Sequence, residues 1–133
     1  MLDTNVYIDW SRAGRHEAWV VGGGMVRHLS AVVLMELEMS AISAAAQRGT
    51  TALARTYQRL GRLHHPSRDT WLRAGAVLRQ LRAAGLETRR ASLVHDVLIA
   101  LSAREVGATL VTRDASDHAA IAKHVDYAAV YVG

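Results

Sequence analysis

Short apolar runs alternate with longer segments of helical periodicity along this chain, and this alternation limits the folds that are available to it. The runs cover residues 1–3, 25–29, 108–111 and 128–132. Apolar runs of this length are typical of buried strands in a parallel sheet. Strands that alternate with helices predict an α/β fold of three layers, with a short central parallel sheet between two layers of helices.

The segments around these runs predict five helices: one that begins at Asn5 and runs through Val6, Ile8 and Trp10, and four at about residues 31–47, 50–63, 69–84 and 92–105. Three polar residues are placed to cap the N-termini of helices, and these are Asn5, Ser30 and Ser92. Three glycines are expected to end helices, because glycine readily adopts the left-handed conformation that follows many of them: Gly49, Gly85 and Gly107.

The composition favours one domain and excludes several kinds of site. The chain has 133 residues, of which 50% are hydrophobic, and its single proline and lack of low-complexity tracts leave no obvious linker, so we expect one domain over residues 1–133. Cysteine is absent, which excludes disulfides, thiolate metal sites and cysteine nucleophiles. No apolar run approaches the length of a membrane span, and we expect a cytoplasmic protein.

Positive charge is concentrated in the middle of the chain. The net charge is +4, yet residues 48–90 contain ten arginines and only two acids. Such a region suits contact with a polyanion. Four of its arginines recur at a spacing that could line one helical face for nucleic-acid phosphates, although a simple solvated face explains them equally well: Arg48, Arg55, Arg59 and Arg62.

Acidic residues follow the apolar runs at the places where ligands bind in α/β proteins. Asp3 ends the first run, and Asp114 comes shortly after the third. Ligands bind in such folds beyond the carboxyl ends of the strands. Asp96 lies in the first turns of a predicted helix and Glu36 lies within another. If these four acids converge, they form an all-oxygen site that suits Mg²⁺ or Mn²⁺, and the matching reaction is metal-assisted phosphodiester hydrolysis.

Four segments of the chain resemble, in order and spacing, the four motifs of PIN-domain nucleases. They are residues 2–6, LDTNV; residues 29–37, LSAVVLMEL; residues 96–100, DVLIA; and residues 110–117, LVTRDASD. Small stand-alone PIN domains of this length resemble VapC toxins, which cut RNA and are silenced by a cognate antitoxin. The resemblance therefore implies a Mg²⁺-dependent endoribonuclease, an antitoxin partner and a homodimer. It also raises the option that the arginine-rich face receives an acidic antitoxin segment.

Carried over by position, the resemblance assigns roles to individual residues. Asp3, Asp96 and Asp114 would bind the metal, and Glu36 would complete the acidic pocket. Residues two positions apart on a helix point about 200° apart, so Glu36 and Glu38 cannot both face one cleft. The resemblance favours Glu36. The supporting residues would be Thr4, Asn5, Ser30, Thr112 and Asp117.

Two positions depart from the family pattern or leave a choice open. The family often has Asn at the position of Asp114, with an Asp three residues later, so either Asp114 or Asp117 could be the fourth acid. His118 stands where the family commonly has another aromatic residue, and the sequence does not indicate what this changes.

Two other functions are compatible with the same motifs. A PIN-like fold could serve only as a binding module for RNA or protein, although all four acidic positions are occupied here. A structure-specific DNA nuclease is the second alternative, because carboxylate-bound metals do not by themselves distinguish ribose from deoxyribose. A phosphatase of the haloacid dehalogenase type is disfavoured, because its second acid would fall at Asn5.

Overall fold

The computed structural model describes residues 1–133 and confirms the predicted α/β fold with short parallel strands. The first half of the chain contains α1 (Thr4–Ala13), α2 (Glu17–Val20), β1 (Leu29–Ser30), α3 (Ala31–Ser40) and α4 (Ala44–Arg59). The second half contains β2 (Leu63–His64), α5 (Arg68–Ala83), α6 (Ala91–Glu105), β3 (Leu110–Thr112), α7 (Ala115–Ile121) and β4 (Ala129–Tyr131). None of these helices has the length and apolarity needed to cross a membrane.

Strand β3 lies between two other segments of backbone that run parallel to it. On one side β3 pairs with β4 in parallel register, with Val111 opposite Val130. On the other side Leu2 forms a parallel bridge to Val111, closed by the bond from the Asp3 N–H to the Val111 carbonyl at 2.9 Å. The carboxyl ends of these segments therefore lie at one edge, and this edge carries Asp3.

A second pair of parallel strands, β1 and β2, is only two residues long. The predicted strand at residues 25–29 is reduced here to Leu29 and Ser30. Its partner β2 lies in a region that was predicted to end a helix. The prediction was wrong there because a two-residue strand has no periodicity of its own and depends on its neighbour for hydrogen bonds.

The buried helix α6 forms the centre of the protein. It packs against α3, α5, α7 and β1, and every residue from Val97 to Ala103 is buried. The sequence predicted a single buried face, but a helix that is covered on several sides must be apolar around most of its circumference. The position of α6 matters for function because its first turns carry Asp96 to the strand edge.

Several predicted helix boundaries are corrected by the structure. The side chain of Asp3, and not that of Asn5, caps α1, since it accepts a hydrogen bond from the Thr4 N–H. Arg90, and not Ser92, precedes α6. Gly85 and Gly107 have φ angles of 93° and 65° just after α5 and α6, as predicted for glycines that end helices.

The predicted helix at residues 31–47 is divided in two. It ends at Ser40, and α4 begins after Ser43, whose hydroxyl accepts a hydrogen bond from the Ala46 N–H at 3.1 Å. Gly49 consequently lies inside α4 and does not end a helix. The break is hard to predict because residues 37–39 before it and the alanines 44–46 after it all favour helix.

We expect Leu98→Ala to destabilise the protein by about 2–5 kcal/mol, because this side chain of α6 is only 2% exposed and its truncation leaves a cavity. The matched control is Leu72→Ala on α5, where leucine is 70% exposed and the expected change is within about 0.5 kcal/mol. Chemical denaturation of the two variants measures both values. Equal effects would contradict the central position of α6.

Candidate metal centre

Four aspartates and one histidine meet at the carboxyl edge of the parallel strands. Asp3, Asp96 and His118 offer ligand atoms that all lie within 4.8 Å of one another. The same limit holds for a second set that consists of Asp96, Asp114 and Asp117. Asp96 belongs to both sets and so joins them into one acidic pocket. The structure thus brings together Asp3, Asp96 and Asp114, which the sequence analysis named as metal ligands.

Asp3 is buried, at 3% exposure, and three hydrogen bonds hold its carboxylate in place. Its Oδ1 accepts from the Thr4 N–H at 2.7 Å. Its Oδ2 accepts from Asn5 Nδ2 at 2.8 Å and from Thr112 Oγ1 at 2.6 Å. Hydrogen bonds of this kind fix the orientation of a metal-binding carboxylate. Asn5 and Thr112 are therefore in contact with the residue that they were predicted to support.

Asp96 differs from Asp3 because no side chain or backbone group donates a hydrogen bond to it. Burial raises its pKa, the negative charges of Asp3, Asp114 and Asp117 raise it further, and the pKa reaches about 7 although His118 acts in the opposite direction. A carboxylate that is buried among other carboxylates and lacks donors needs a cation to remain charged at neutral pH.

Asp114 and Asp117 both lie close to Asp96, so distance from Asp96 does not decide which of the two is the fourth acid. Asp114 caps α7 and accepts a hydrogen bond from the Asp117 N–H at 3.0 Å. Asp117 accepts a hydrogen bond from Arg90 Nη2 at 3.1 Å. Because Arg90 already neutralises part of the charge on Asp117, the carboxylate of Asp114 is the freer of the two.

Glu36 lies outside both sets but contacts the pocket through Thr4. One oxygen of Glu36 accepts a hydrogen bond from Thr4 Oγ1, and the other lies 2.9 Å from His95 Nδ1. Glu38 points elsewhere, into the groove between α3 and α4. Of these two residues, Glu36 is the one that contacts Thr4, and it lies beside the acidic pocket and not within it.

The remaining predicted residues have other surroundings. The Ser30 hydroxyl accepts a hydrogen bond from the Val32 N–H at 3.1 Å, so it caps α3 and contacts none of the acids. Arg48, Arg55 and Arg59 are exposed on α4, and Arg62 is half-buried just beyond this helix. None of the four arginines forms an ion pair with an acidic residue of the chain.

Three residues at the site were missed as site residues in the sequence analysis, namely Arg90, His95 and His118. Each contacts an acid that is distant in the sequence; His95 and Glu36, for example, are 59 positions apart. No motif spacing indicates such pairs. The one available signal was at His118, where the residue departs from the family pattern.

The residues of the pocket fit a divalent cation. Asp96 has no donor, and the buried Nε2 atom of His118 has no hydrogen-bond partner, although it lies 3.8 Å from Asp3 Oδ2 and 3.9 Å from Asp96 Oδ1. A buried polar atom without a partner is rare and calls for a ligand or an ion. Carboxylate oxygens are the ligands that Mg²⁺ and Mn²⁺ prefer in proteins.

In chelator-treated protein, we expect stability to fall as the pH rises from about 4 to about 7, because of Asp96. A carboxyl with a native pKa of about 7 binds more protons in the native state than in the unfolded state, where its pKa is about 3.9. Stability therefore decreases with pH across this interval, by at most about 4 kcal/mol for this one group. Denaturation of wild type and Asp96→Asn at several pH values isolates the contribution.

The expected difference between these two proteins has a definite sign. At pH 8 Asp96→Asn should be more stable than wild type, and near pH 4 the two should be equal. Asp126→Asn is the matched control, because Asp126 is exposed and its substitution should change stability by less than about 0.5 kcal/mol at either pH. A wild type that is more stable than Asp96→Asn at pH 8 without metal would contradict this account of the pocket.

Comparison with solved structures identifies several that share this fold. A chain of VapBC2 from Rickettsia felis, solved with a DNA fragment from its promoter, has a TM-score of 0.69 at 19% identity, over 100% of this chain and 98% of that one. For VapBC-1 of nontypeable Haemophilus influenzae the TM-score is 0.67 at 21% identity, over 98% of this chain and 96% of that one. For FitAcB of Neisseria gonorrhoeae the TM-score is 0.61 at 23% identity, over 96% of this chain and 94% of that one.

Comparison at the level of sequence gives the family. No curated protein sequence matched the chain. The family model described as PIN domain, however, matches residues 1–124, which is nearly the whole chain and includes all five residues of the acidic pocket. The chain therefore belongs to the PIN-domain family.

Proposed function

We propose that this protein is a Mg²⁺-dependent endoribonuclease, with Mn²⁺ as an alternative ion, and that it acts as the toxin of a toxin–antitoxin pair. The observation that carries the proposal is the convergence of Asp3, Asp96 and Asp114 at one strand edge, with Asp117 beside them. PIN-domain proteins are nucleases as a family, so hydrolysis of a phosphodiester bond is the reaction that membership supports.

The acidic pocket supplies the ligands for the reaction. Asp3, Asp96 and Asp114 would hold the metal, and Asp117 would contribute charge beside them. A bound divalent ion would supply Lewis acidity and lower the pKa of the water bound to it, so the protein needs no nucleophile of its own. Cysteine is absent from the chain, and the two threonine hydroxyls at the site, those of Thr4 and Thr112, serve as hydrogen-bond donors to Glu36 and Asp3.

The residues around the ligands hold them in position. Thr112 Oγ1 and Asn5 Nδ2 keep Oδ2 of Asp3 oriented toward the pocket, and the Arg113 N–H in turn fixes Asn5 Oδ1 at 3.0 Å. Glu36 orients Thr4 and is itself held by His95. Asp96 carries no such bonds, so its carboxylate is free to give up its proton and accept a cation. The rigid side of the pocket is therefore Asp3, and the adaptable side is Asp96.

RNA as substrate is supported by the charge of the surface. Arg48, Arg55 and Arg59 are exposed on α4 and have no acidic partner within the chain, so they are free to contact phosphates. Arg90 lies at the rim of the pocket beside Asp117, where a substrate phosphate would pass. A DNA nuclease, or a module that binds RNA without cutting it, could have the same fold. Cleavage assays on RNA and DNA distinguish these two functions from an RNA nuclease.

An antitoxin partner is supported by the complexes in which the similar structures occur, VapBC and FitAB among them. A groove between α3 and α4 presents Leu34 and Met35 next to Arg55, which suits a partner segment with apolar and acidic side chains. The large exposed side chains of Met39 and Ile42 lie at the end of α3. We expect a homodimer as well, on the basis of the family resemblance.

We expect purified protein to cleave RNA when Mg²⁺ or Mn²⁺ is present, to leave 5′-phosphate and 3′-hydroxyl ends, and to lose activity in EDTA. Asp96→Asn should reduce the rate roughly 100-fold or more, because the freest metal ligand is lost. Asp126→Asn, the matched exposed aspartate, should cleave at the wild-type rate. The measurement maps new ends in total RNA, with single-stranded and structured DNA as parallel substrates.

Each of the other functions predicts a different result. Cleavage of structured DNA alone would favour the DNA nuclease, and binding of RNA without any cleavage would favour the binding module. Full activity in EDTA would contradict the metal mechanism. Because Asp96→Asn is expected to be at least as stable as wild type at neutral pH, its inactivity could not be attributed to unfolding.

We expect the double variant Arg55→Gln, Arg59→Gln to bind RNA more weakly and with less dependence on salt. Each lost phosphate contact lowers the slope of log affinity against log salt by about 0.7 for a single strand, so the pair should lower it by about 1.4. Anisotropy of a labelled single-stranded RNA, measured in the Asp96→Asn background at several salt concentrations, gives the slope. Arg12→Gln, Arg104→Gln is the matched control, and an equal slope in both would show that the α4 arginines are only solvated.

A further inference from the structure

His118 is buried at the floor of the acidic pocket and one of its ring atoms has no partner. The side chain is 0% exposed, and its Nε2 atom forms no hydrogen bond. This atom lies 3.8 Å from Asp3 Oδ2 and 3.9 Å from Asp96 Oδ1, so it is aimed between two of the carboxylates. The proposed function gives this atom no role.

The contacts with Tyr127 suit the tautomer of His118 that carries its proton on Nδ1. The Tyr127 hydroxyl donates to the backbone carbonyl of His118 at 3.1 Å, which uses its only proton. The same hydroxyl oxygen lies 2.8 Å from His118 Nδ1, and with its proton on the carbonyl it can accept a hydrogen bond from an Nδ1–H group. In a neutral imidazole the other nitrogen then has a lone pair and no proton. In this tautomer the lone pair of Nε2 is directed toward Asp3 and Asp96.

The distances within this group suit one ion with three ligands. Donor atoms at about 2.1 Å from a common ion lie about 3.0 Å apart when their bonds are perpendicular and about 4.2 Å apart when they are opposite. The two measured separations from Nε2, 3.8 and 3.9 Å, fall within that interval. The bond from Nδ1 to Tyr127 also matches the usual environment of metal-binding histidines, whose second nitrogen donates to an oxygen.

We propose that His118 is a nitrogen ligand of the metal, together with Asp3 and Asp96, and that it raises the affinity of this pocket for Mn²⁺ and later first-row divalent metals relative to its affinity for Mg²⁺. Mg²⁺ strongly prefers oxygen ligands, whereas imidazole nitrogen adds affinity for ions from Mn²⁺ onward in the series. This inference rests on the proposed metal site but not on the identity of the nucleic acid that is cut. It assigns a chemical consequence to the position where the sequence departs from the family pattern.

The test uses Mn²⁺ as the probe and has two readouts that do not involve activity. Pulsed electron paramagnetic resonance of Mn²⁺ bound to the full chain should reveal coupling to a histidine nitrogen, and incorporation of ¹⁵N-labelled histidine should change that coupling. Calorimetry should give a preference for Mn²⁺ over Mg²⁺ that falls about tenfold or more in His118→Phe. The matched control is His64→Gln, because His64 pairs with Glu105 away from the pocket and its loss should alter neither readout.

The outcomes separate this inference from the proposed function. Mn²⁺ binding without nitrogen coupling in the wild type would overturn the assignment of His118 and leave the acidic metal site intact. An unchanged Mn²⁺ preference in folded His118→Phe would do the same. If wild type bound neither Mn²⁺ nor Mg²⁺, the proposed metal site and this inference would both be wrong. The wild-type coupling requires no variant, so the test stands even if His118→Phe does not fold.

Discussion

Repulsion among crowded carboxylates is the constraint around which this structure is arranged. Asp3, Asp96, Asp114 and Asp117 lie together at one edge of a very small sheet, and burial, reinforced by the neighbouring negative charges, raises the pKa of Asp96 to about 7. The fold counters this repulsion in two ways: donors fix Asp3, and Arg90 pairs with Asp117. Nothing comparable stabilises the charge on Asp96. A bound cation would therefore stabilise the ionised form of Asp96.

The scaffold that enforces this crowding has only a few hydrogen bonds across its strands. Residues 1–3, β3 and β4 run parallel, which brings the ends of separate chain segments to one edge. The buried helix α6 then supplies Asp96 from above that edge. Because α6 is covered on several sides, its apolar residues fix the height and rotation at which Asp96 enters the pocket. Packing and chemistry are therefore linked through one helix.

Much of this arrangement could be predicted from the sequence. Parallel strands end at a common edge, so Asp3 and Asp114 could be placed together from the apolar runs that precede them. The order of the four motifs predicted the family. Helix geometry indicated that Glu36 and Glu38 cannot both face one cleft, and the family resemblance favoured Glu36. Glu36 is the one that accepts a hydrogen bond from Thr4.

Other features depend on tertiary contacts that leave no local trace. The strand β2 exists only through its pairing with β1, and the break between α3 and α4 falls within a sequence that favours helix on both sides. The orientation of His118 depends on Tyr127, which reaches it from beyond α7. Asn5 was expected to cap a helix, but its side chain instead donates a hydrogen bond to the buried carboxylate of Asp3. In each case a long-range interaction outweighs the local preference of the residue.

The central claim is that this acidic edge binds a divalent cation, and crystals of the protein soaked in Mn²⁺ test it most directly. The account predicts an anomalous difference peak in the pocket, within bonding distance of Asp3 and Asp96, that disappears in crystals of Asp96→Asn. At saturating Mn²⁺, the absence of a peak among these carboxylates, or a peak that persists unchanged in Asp96→Asn, would contradict it.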